Sequence, residues 1–347
     1  MAYTTINKST DYFNTKIYTG DGTNSHAITG VGFQPDWTWI KDRDDTSSHL
    51  LTDAVRGATK GLKTNGNDGE STGDTNLKSF DSDGFTVGSS GRNNQNGASN
   101  VSWNWKANGA GSANTDGSIN TTATSANTTA GFSISKYTGT GSSATIGHGL
   151  AASPNIVLIK MISSTDDWSF QTSALGYSKY LVLNGTGSAP NTSGALVSSV
   201  SSTTVTVDGN AYVNSSGATY VMYCFSEKSG YSKFGTYTGN GSTDGTFIYT
   251  GFKPTFVIFK RSSGTGGWII HDNKRSESNG GNSLRKYLVA QTSGSEGTND
   301  YFTIDTLSNG FKLRSTDGES NQSGETYIYM AFGQSIVGSN NIPATAR

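Results

Sequence analysis

Two pairs of opposite charge stand at the same spacing in distant parts of the chain, Asp53 with Arg56 and Asp272 with Arg275. Such a pair can serve as a ligand clamp, its guanidinium forking a carboxylate or two sugar hydroxyls. It can equally be an ion pair that pins a turn, and that use is preferred. The aligned stretch between them carries Thr172 and Leu175, so both members are lost together, as expected where one buried charge is costly without the other. Trp168 and Trp268 are a second kind of candidate, since an indole face covers the apolar C–H patch of a pyranose. Trp37, Trp39, Trp103 and Trp105 compete for that role, with one of each pair expected to face outward. Core packing is the preferred reading for any single tryptophan, while a surface aromatic is expected on at least one part of the chain. Asp53, Arg56, Asp272, Arg275, Trp168 and Trp268 are therefore the candidate glycan-binding residues.

Other chemistry is weaker. Asp81-Ser82-Asp83-Gly84 looks like a fragment of a calcium loop, but the further oxygen ligands and the bidentate glutamate do not follow, so a turn before a strand is preferred. His26, His49, His148 and His271 share no metal-ligand spacing. His271 beside Asp272 could be drawn as a base with its orienter, yet no serine or cysteine motif accompanies it. No carboxylate pair is singled out for glycosidase chemistry. Cys224 lies in the apolar run Tyr220–Phe225 and reads as a small core residue. The expectation is a protein without a catalytic site, metal or cofactor.

The elements that position these residues follow from a repeated phrase. Tyr18-Thr19-Gly20-Asp21-Gly22, Tyr137-Thr138-Gly139-Thr140-Gly141 and Tyr237-Thr238-Gly239-Asn240-Gly241 each precede a proline at one fixed offset (Pro35, Pro154, Pro254) and then a lysine (Lys41, Lys160, Lys260). The chain is thus a triplicated unit. Each copy reads as a series of short strands: one into the Tyr-Thr-Gly phrase, an apolar one after the proline, and an aromatic closing one at Val101–Trp105, Tyr220–Phe225 or Tyr327–Phe332. The lysine that ends the apolar strand reads as a solvated strand end or an edge gatekeeper. No segment keeps a helical period. The expected fold is all-β, three tandem β-sandwich or jelly-roll modules. The boundaries fall at 1–108 for module 1, 130–229 for module 2 and 230–336 for module 3. Residues 109–129, rich in Gly, Ala, Ser, Asn and Thr, read as a linker, and 337–347 as a tail.

Composition supports this. A hydrophobic share of 32% with 45 glycines in 347 residues would suggest disorder, but an aromatic share of 11% supplies compact cores. A formal net charge of −1 gives no general attraction to nucleic acid or an anionic membrane. Aliphatic runs such as Ile156–Ile159 are too short for membrane insertion. With a single cysteine no intrachain disulfide forms. The start, Met1-Ala2-Tyr3-Thr4-Thr5, lacks the regions of a signal peptide, so folding in a cytoplasm is expected.

Module 1 carries Gly32-Phe33-Gln34-Pro35-Asp36, Asp53-Ala54-Val55-Arg56-Gly57, Phe80-Asp81-Ser82-Asp83-Gly84-Phe85 and Trp103-Asn104-Trp105-Lys106. With the Tyr-x-Gly-x-Gly opening, this resembles a tandem β domain of predicted tail-fibre and structural virion proteins of marine and cyanobacterial phages. The ending Pro343-Ala344-Thr345-Ala346-Arg347 is similar to the C-termini of such proteins. The resemblance covers almost the whole chain; module 2 departs most, and module 3 has Ser276 where Gly57 stands. It implies a lectin-like virion component, assembled in the host cytoplasm among other virion proteins and expected to be a homo-oligomer. The expected function is a tail-fibre or spike component that presents repeated modules to a host-surface glycan, weak sites adding through multivalency. A capsid-decorating or appendage-scaffold protein without receptor contact is the alternative, and a polysaccharide depolymerase a third.

Overall fold

The computed structural model describes residues 4–189, 196–276 and 282–335. The tail 337–347 and its Pro343–Arg347 ending lie outside the described residues. The fold is all-β, built from antiparallel sheets.

Each copy of the repeat forms one large sheet in the same strand order. The opening strand (Phe13–Thr19, Phe132–Thr138, Ser232–Thr238) pairs with the closing strand (Ser99–Trp105, Thr219–Phe225, Thr326–Gln334). The closing strand pairs with the apolar strand after the proline (Trp37–Asp42, Ile156–Met161, Lys253–Arg261), and that with a fourth strand (Leu50–Asp53, Ser169–Thr172, Trp268–Asp272). A smaller sheet backs each large one. In module 2, for example, Ile146, Val205 and Val207 of the small sheet pack on Val157, Ile159, Met222 and Cys224 of the large one.

The repeated phrase owes its form to one asparagine. Asn94 and Asn214 end a four-residue helical turn before the closing strand (Gly91–Asn94, Ala211–Asn214), Asn321 stands at the same place in module 3, and an Asn-x-x-Gly spacing recurs (Gly97, Gly217, Gly324). Each side-chain oxygen accepts from the backbone N–H of Asp21, Thr140 or Asn240 at 2.8–3.0 Å. The backbone oxygens of the same asparagines accept from Gly22, Gly141 and Gly241. The tyrosine hydroxyls close the loop by donating to Asn93, Val213 and Ser320 carbonyls. A side chain on Gly20, Gly139 or Gly239 would run into the carbonyl oxygen of Gln95, Ser215 or Gln322. Gly22, Gly141 and Gly241 have φ of 69°, 78° and 68°, the left-handed region that glycine enters freely.

Three expectations are corrected. Residues 109–129 do not hang free between modules. Ala123–Asn127 adds a strand to the edge of the module 2 sheet, and Ile119 is buried beside Ile146. Small polar side chains there hide strand pairing from a reading based on apolar period. The lysines Lys41, Lys160 and Lys260 are fully buried, not solvated. Finally, Trp37 and Trp39 share one face, as do Trp103 and Trp105, because residues two apart on a strand point the same way. All four face out of their own sandwich, yet all are buried, because the other modules cover them.

The outer faces of the large sheets are thus largely covered, with solvent reaching them at the far end of the opening strand, where Ile17 is 42% exposed. The covered sides meet in one cluster drawn from all three copies, with Phe13, Trp37, Trp103 and Trp105 against Phe132, Tyr223 and Phe225 and against Phe256, Ile258 and Phe332. Trp37 lies 5.1 Å from Tyr223, and Trp105 5.7 Å from Phe256, between ring centres. The residual space where the sheets converge is about 20 Å³ and has only apolar walls.

Candidate functional site

All six candidate glycan residues lie in the seams between the sheets and are buried. The Trp168 indole donates to the Lys63 carbonyl of module 1 at 2.9 Å, and the Trp268 indole to the Val182 carbonyl of module 2 at 2.9 Å. Lys63, Val182 and Val289 are equivalent, each following the leucine that pairs with the fourth strand (Leu62 with Leu51, Leu181 with Phe170, Leu288 with Ile270). Module 1 has His49 at the tryptophan position, and its Nε2 lies 3.2 Å from the Val289 carbonyl of module 3. That nitrogen must carry the proton, leaving Nδ1 to accept from the Trp39 indole at 2.8 Å. Burial pushes His49 down to about 3, with Lys41 adding to the effect, so the ring is neutral. The contact closes a ring: module 2 onto 1, 3 onto 2, and 1 onto 3.

The acid–base pairs obey the same cycle. Arg56 Nε lies 2.5 Å from Asp53 Oδ2, and Arg275 Nε 2.5 Å from Asp272 Oδ2. Each aspartate also accepts from the next module: Tyr223 of module 2 donates to Asp53 at 2.7 Å, and Trp103 of module 1 to Asp272 at 2.9 Å. The arginines reach a glutamate as well, Arg56 to Glu70 and Arg275 to Glu296. The backbone N–H groups of these glutamates cross the seam to the equivalent carbonyls of Ile162 and Arg43. Arg43 of module 1 then grips Glu296 of module 3 with two bonds of 2.8 and 2.9 Å. In this arrangement the charged atoms are occupied by protein partners, and the two tryptophans have no free face for a sugar.

The buried lysines complete the seam. Lys160 donates to the carbonyls of Met161 and, across the seam, Asn67; Lys260 donates to Gly266 and, across the seam, Thr186. Lys41 donates to Asp42 and Asp45 of its own module. Burial pushes each of the three down to about 8.

The remaining candidates are placed as follows. Asp83 accepts from the N–H groups of Gly30 and Gly32 in the hairpin turn before its strand. His271 points away from Asp272, into the interior of module 3, where Nδ1 meets the Lys286 carbonyl and the ring stacks on Phe259. Cys224 is buried, and burial raises its thiol. Among the described residues no three His, Cys, Asp or Glu side chains converge as a metal site. Among the described residues the exposed large aromatics are Phe247, Tyr249 and Tyr301, all in module 3. Sequence reasoning passed over Tyr249, although it breaks a pattern: Thr29 and Gly147 stand at the matching step, after the inward-facing Ile28, Ile146 and Ile248.

The family described as "Domain of unknown function (DUF7483)" matches residues 8–335, so the chain belongs to it. The matched unit takes in all three copies of the repeat. No curated protein matches the chain.

Proposed function

We propose that this member of the DUF7483 family is a structural protein of a phage virion, a tail-fibre or spike component that holds β-sandwich modules toward host-surface glycans. The observation that carries this reading is the closed ring of three sandwiches around one aromatic core. Side chains that could do chemistry are turned inward to lock the modules together, and the small sheets and turns are left to face outward. Such a body suits presentation, since rigid elements hold binding groups without ordering cost at the moment of contact. The motif resemblance supplies the virion setting, with other virion proteins as partners and assembly in the host cytoplasm.

The test is immunogold labelling of purified virions together with competition of phage adsorption by the purified chain. Label at the tail and dose-dependent inhibition of adsorption are expected. Label on icosahedral capsid sites with unimpaired adsorption would favour the decorating role and overturn attachment. Release of reducing ends from host polysaccharide would overturn the non-enzymatic reading.

A further inference from the structure

We propose that the cleft between the module 2–module 3 connection and the outer sheet of module 3 binds a neutral sugar residue, with the Tyr249 ring as its stacking floor. The inference rests on the attachment reading and names where in the molecule the glycan sits.

The first support is the outer face itself. Phe247 and Tyr249 lie side by side on the outward face of their strand, 42% and 60% exposed. The matching outward residues are Ala27 and Thr29 in module 1 and Thr145 and Gly147 in module 2. An adjacent exposed aromatic pair on one sheet out of three, where small residues satisfy the fold twice, marks an interaction surface.

The second support is the open space beside it. A cleft of about 330 Å³ is lined by Tyr249, by Glu227 and Ser229 of the connection, and by Ser232 and Lys233 at the start of the module 3 opening strand. This is the low end of small-molecule pockets, which run from about 300 to 1,000 Å³. In module 2 the corresponding place is closed. A side chain at Gly147 would collide with the Asn114 amide, Ser118 bonds to Thr145, and Ile119 bridges to Ile146. Module 3 has no such insert, because Lys228 and Ser232 already pair across a tight turn.

The chemistry of the walls selects the ligand. Tyr249 offers a flat apolar face for pyranose C–H groups. Glu227 lies 2.8 Å from Lys233 and also accepts from the Phe234 N–H. A carboxylate and an ammonium side by side match a vicinal diol, one hydroxyl donating to Glu227 and its neighbour accepting from Lys233. Their charges cancel, which gives an acidic sugar no advantage.

Saturation-transfer NMR on the full chain tests this, with the methyl glycosides of glucose, galactose, mannose and N-acetylglucosamine, and with N-acetylneuraminic acid for comparison. At least one neutral glycoside should bind, and Tyr249→Thr, which installs the residue module 1 carries there, should weaken it by roughly tenfold or more. Glu227→Gln, which keeps an acceptor for the Phe234 N–H, should weaken it less. Neutral binding unchanged in Tyr249→Thr, no binding across the neutral panel, or preference for the acidic sugar would each overturn the site. The adsorption assay separates the two readings. If Tyr249→Thr competes as well as the parent chain, attachment stands and this cleft is not its site. A chain that neither binds a glycoside nor competes removes both.

Discussion

Trp103, Tyr223 and Met330 occupy the same step of their closing strands, and each is matched to the module it faces. Trp103 and Tyr223 carry a donor and meet Asp272 and Asp53; Met330 carries none, and the equivalent of the aspartate in module 2 is Thr172. The paired loss of aspartate and arginine in module 2 is therefore a loss of three, the third member lying on another module. Removing one member of a buried, hydrogen-bonded pair costs about 3–5 kcal/mol, whereas replacing the whole set by packed apolar groups is often close to neutral. Asp53→Thr alone should then lower the urea midpoint strongly. The triple variant Asp53→Thr, Arg56→Leu, Tyr223→Met, which copies the Thr172, Leu175, Met330 set, should regain most of the loss. Equilibrium denaturation of the single, double and triple variants measures the coupling, and simple additivity would refute it. Sequence alone showed the Asp/Arg pairing and its joint loss. It could not show the third partner, which is distant in the chain and differs in type between copies.

At the scale of elements, the strands were legible and their surroundings were not. Apolar and aromatic alternation located the opening, central and closing strands, because the pleat has a period of two whatever covers it. The same pattern misplaced Lys41, Lys160 and Lys260. A lysine at a strand end reads as solvated until the carbonyls of Asn67 and Thr186 arrive from neighbouring modules. Their burial has a measurable sign. With folded values near 8 against about 10.5 in the unfolded chain, the unfolded state binds more protons between those limits. Stability should therefore rise as pH increases from about 8 toward 10. The buried hydroxyls of Tyr137 and Tyr237, raised well above 10 by burial, act in the opposite sense at higher pH, since the unfolded chain loses those protons first. On the acid side, His49 and His271 are pushed by burial down to about 3 and about 4. The unfolded chain protonates them near 6.5, so stability should fall as pH drops below that value. Chemical denaturation across pH reads both limbs. Lys160→Met should flatten the alkaline limb, and an unchanged slope would show that these lysines do not titrate as described.

For the whole molecule the question is whether three copies make three domains or one. Each sandwich has its own interior cluster, which alone would allow independent folding. The outer side of each large sheet, however, is aromatic and finds its cover only in the other two. Without module 3, Trp103 loses Asp272, His49 loses the Val289 carbonyl, and Trp105 loses Phe256 and Phe332. A chain cut after residue 228 would expose that face to water, along with buried polar groups that have lost their partners. The ends of the described chain are also tied together, since Gln334 accepts from the Ser9 N–H at 2.8 Å and so fastens module 3 to the start of module 1. The full chain should accordingly unfold in a single calorimetric transition, with calorimetric and van't Hoff enthalpies in agreement. Residues 1–228 should aggregate or lose their near-ultraviolet tryptophan dichroism while keeping strand signal. Three separable transitions, or a truncated chain with native tryptophan dichroism, would show that the modules stand alone and the shared core is incidental. A rigid single body would also fix the Tyr249 cleft relative to modules 1 and 2, which three independently hinged modules would not do.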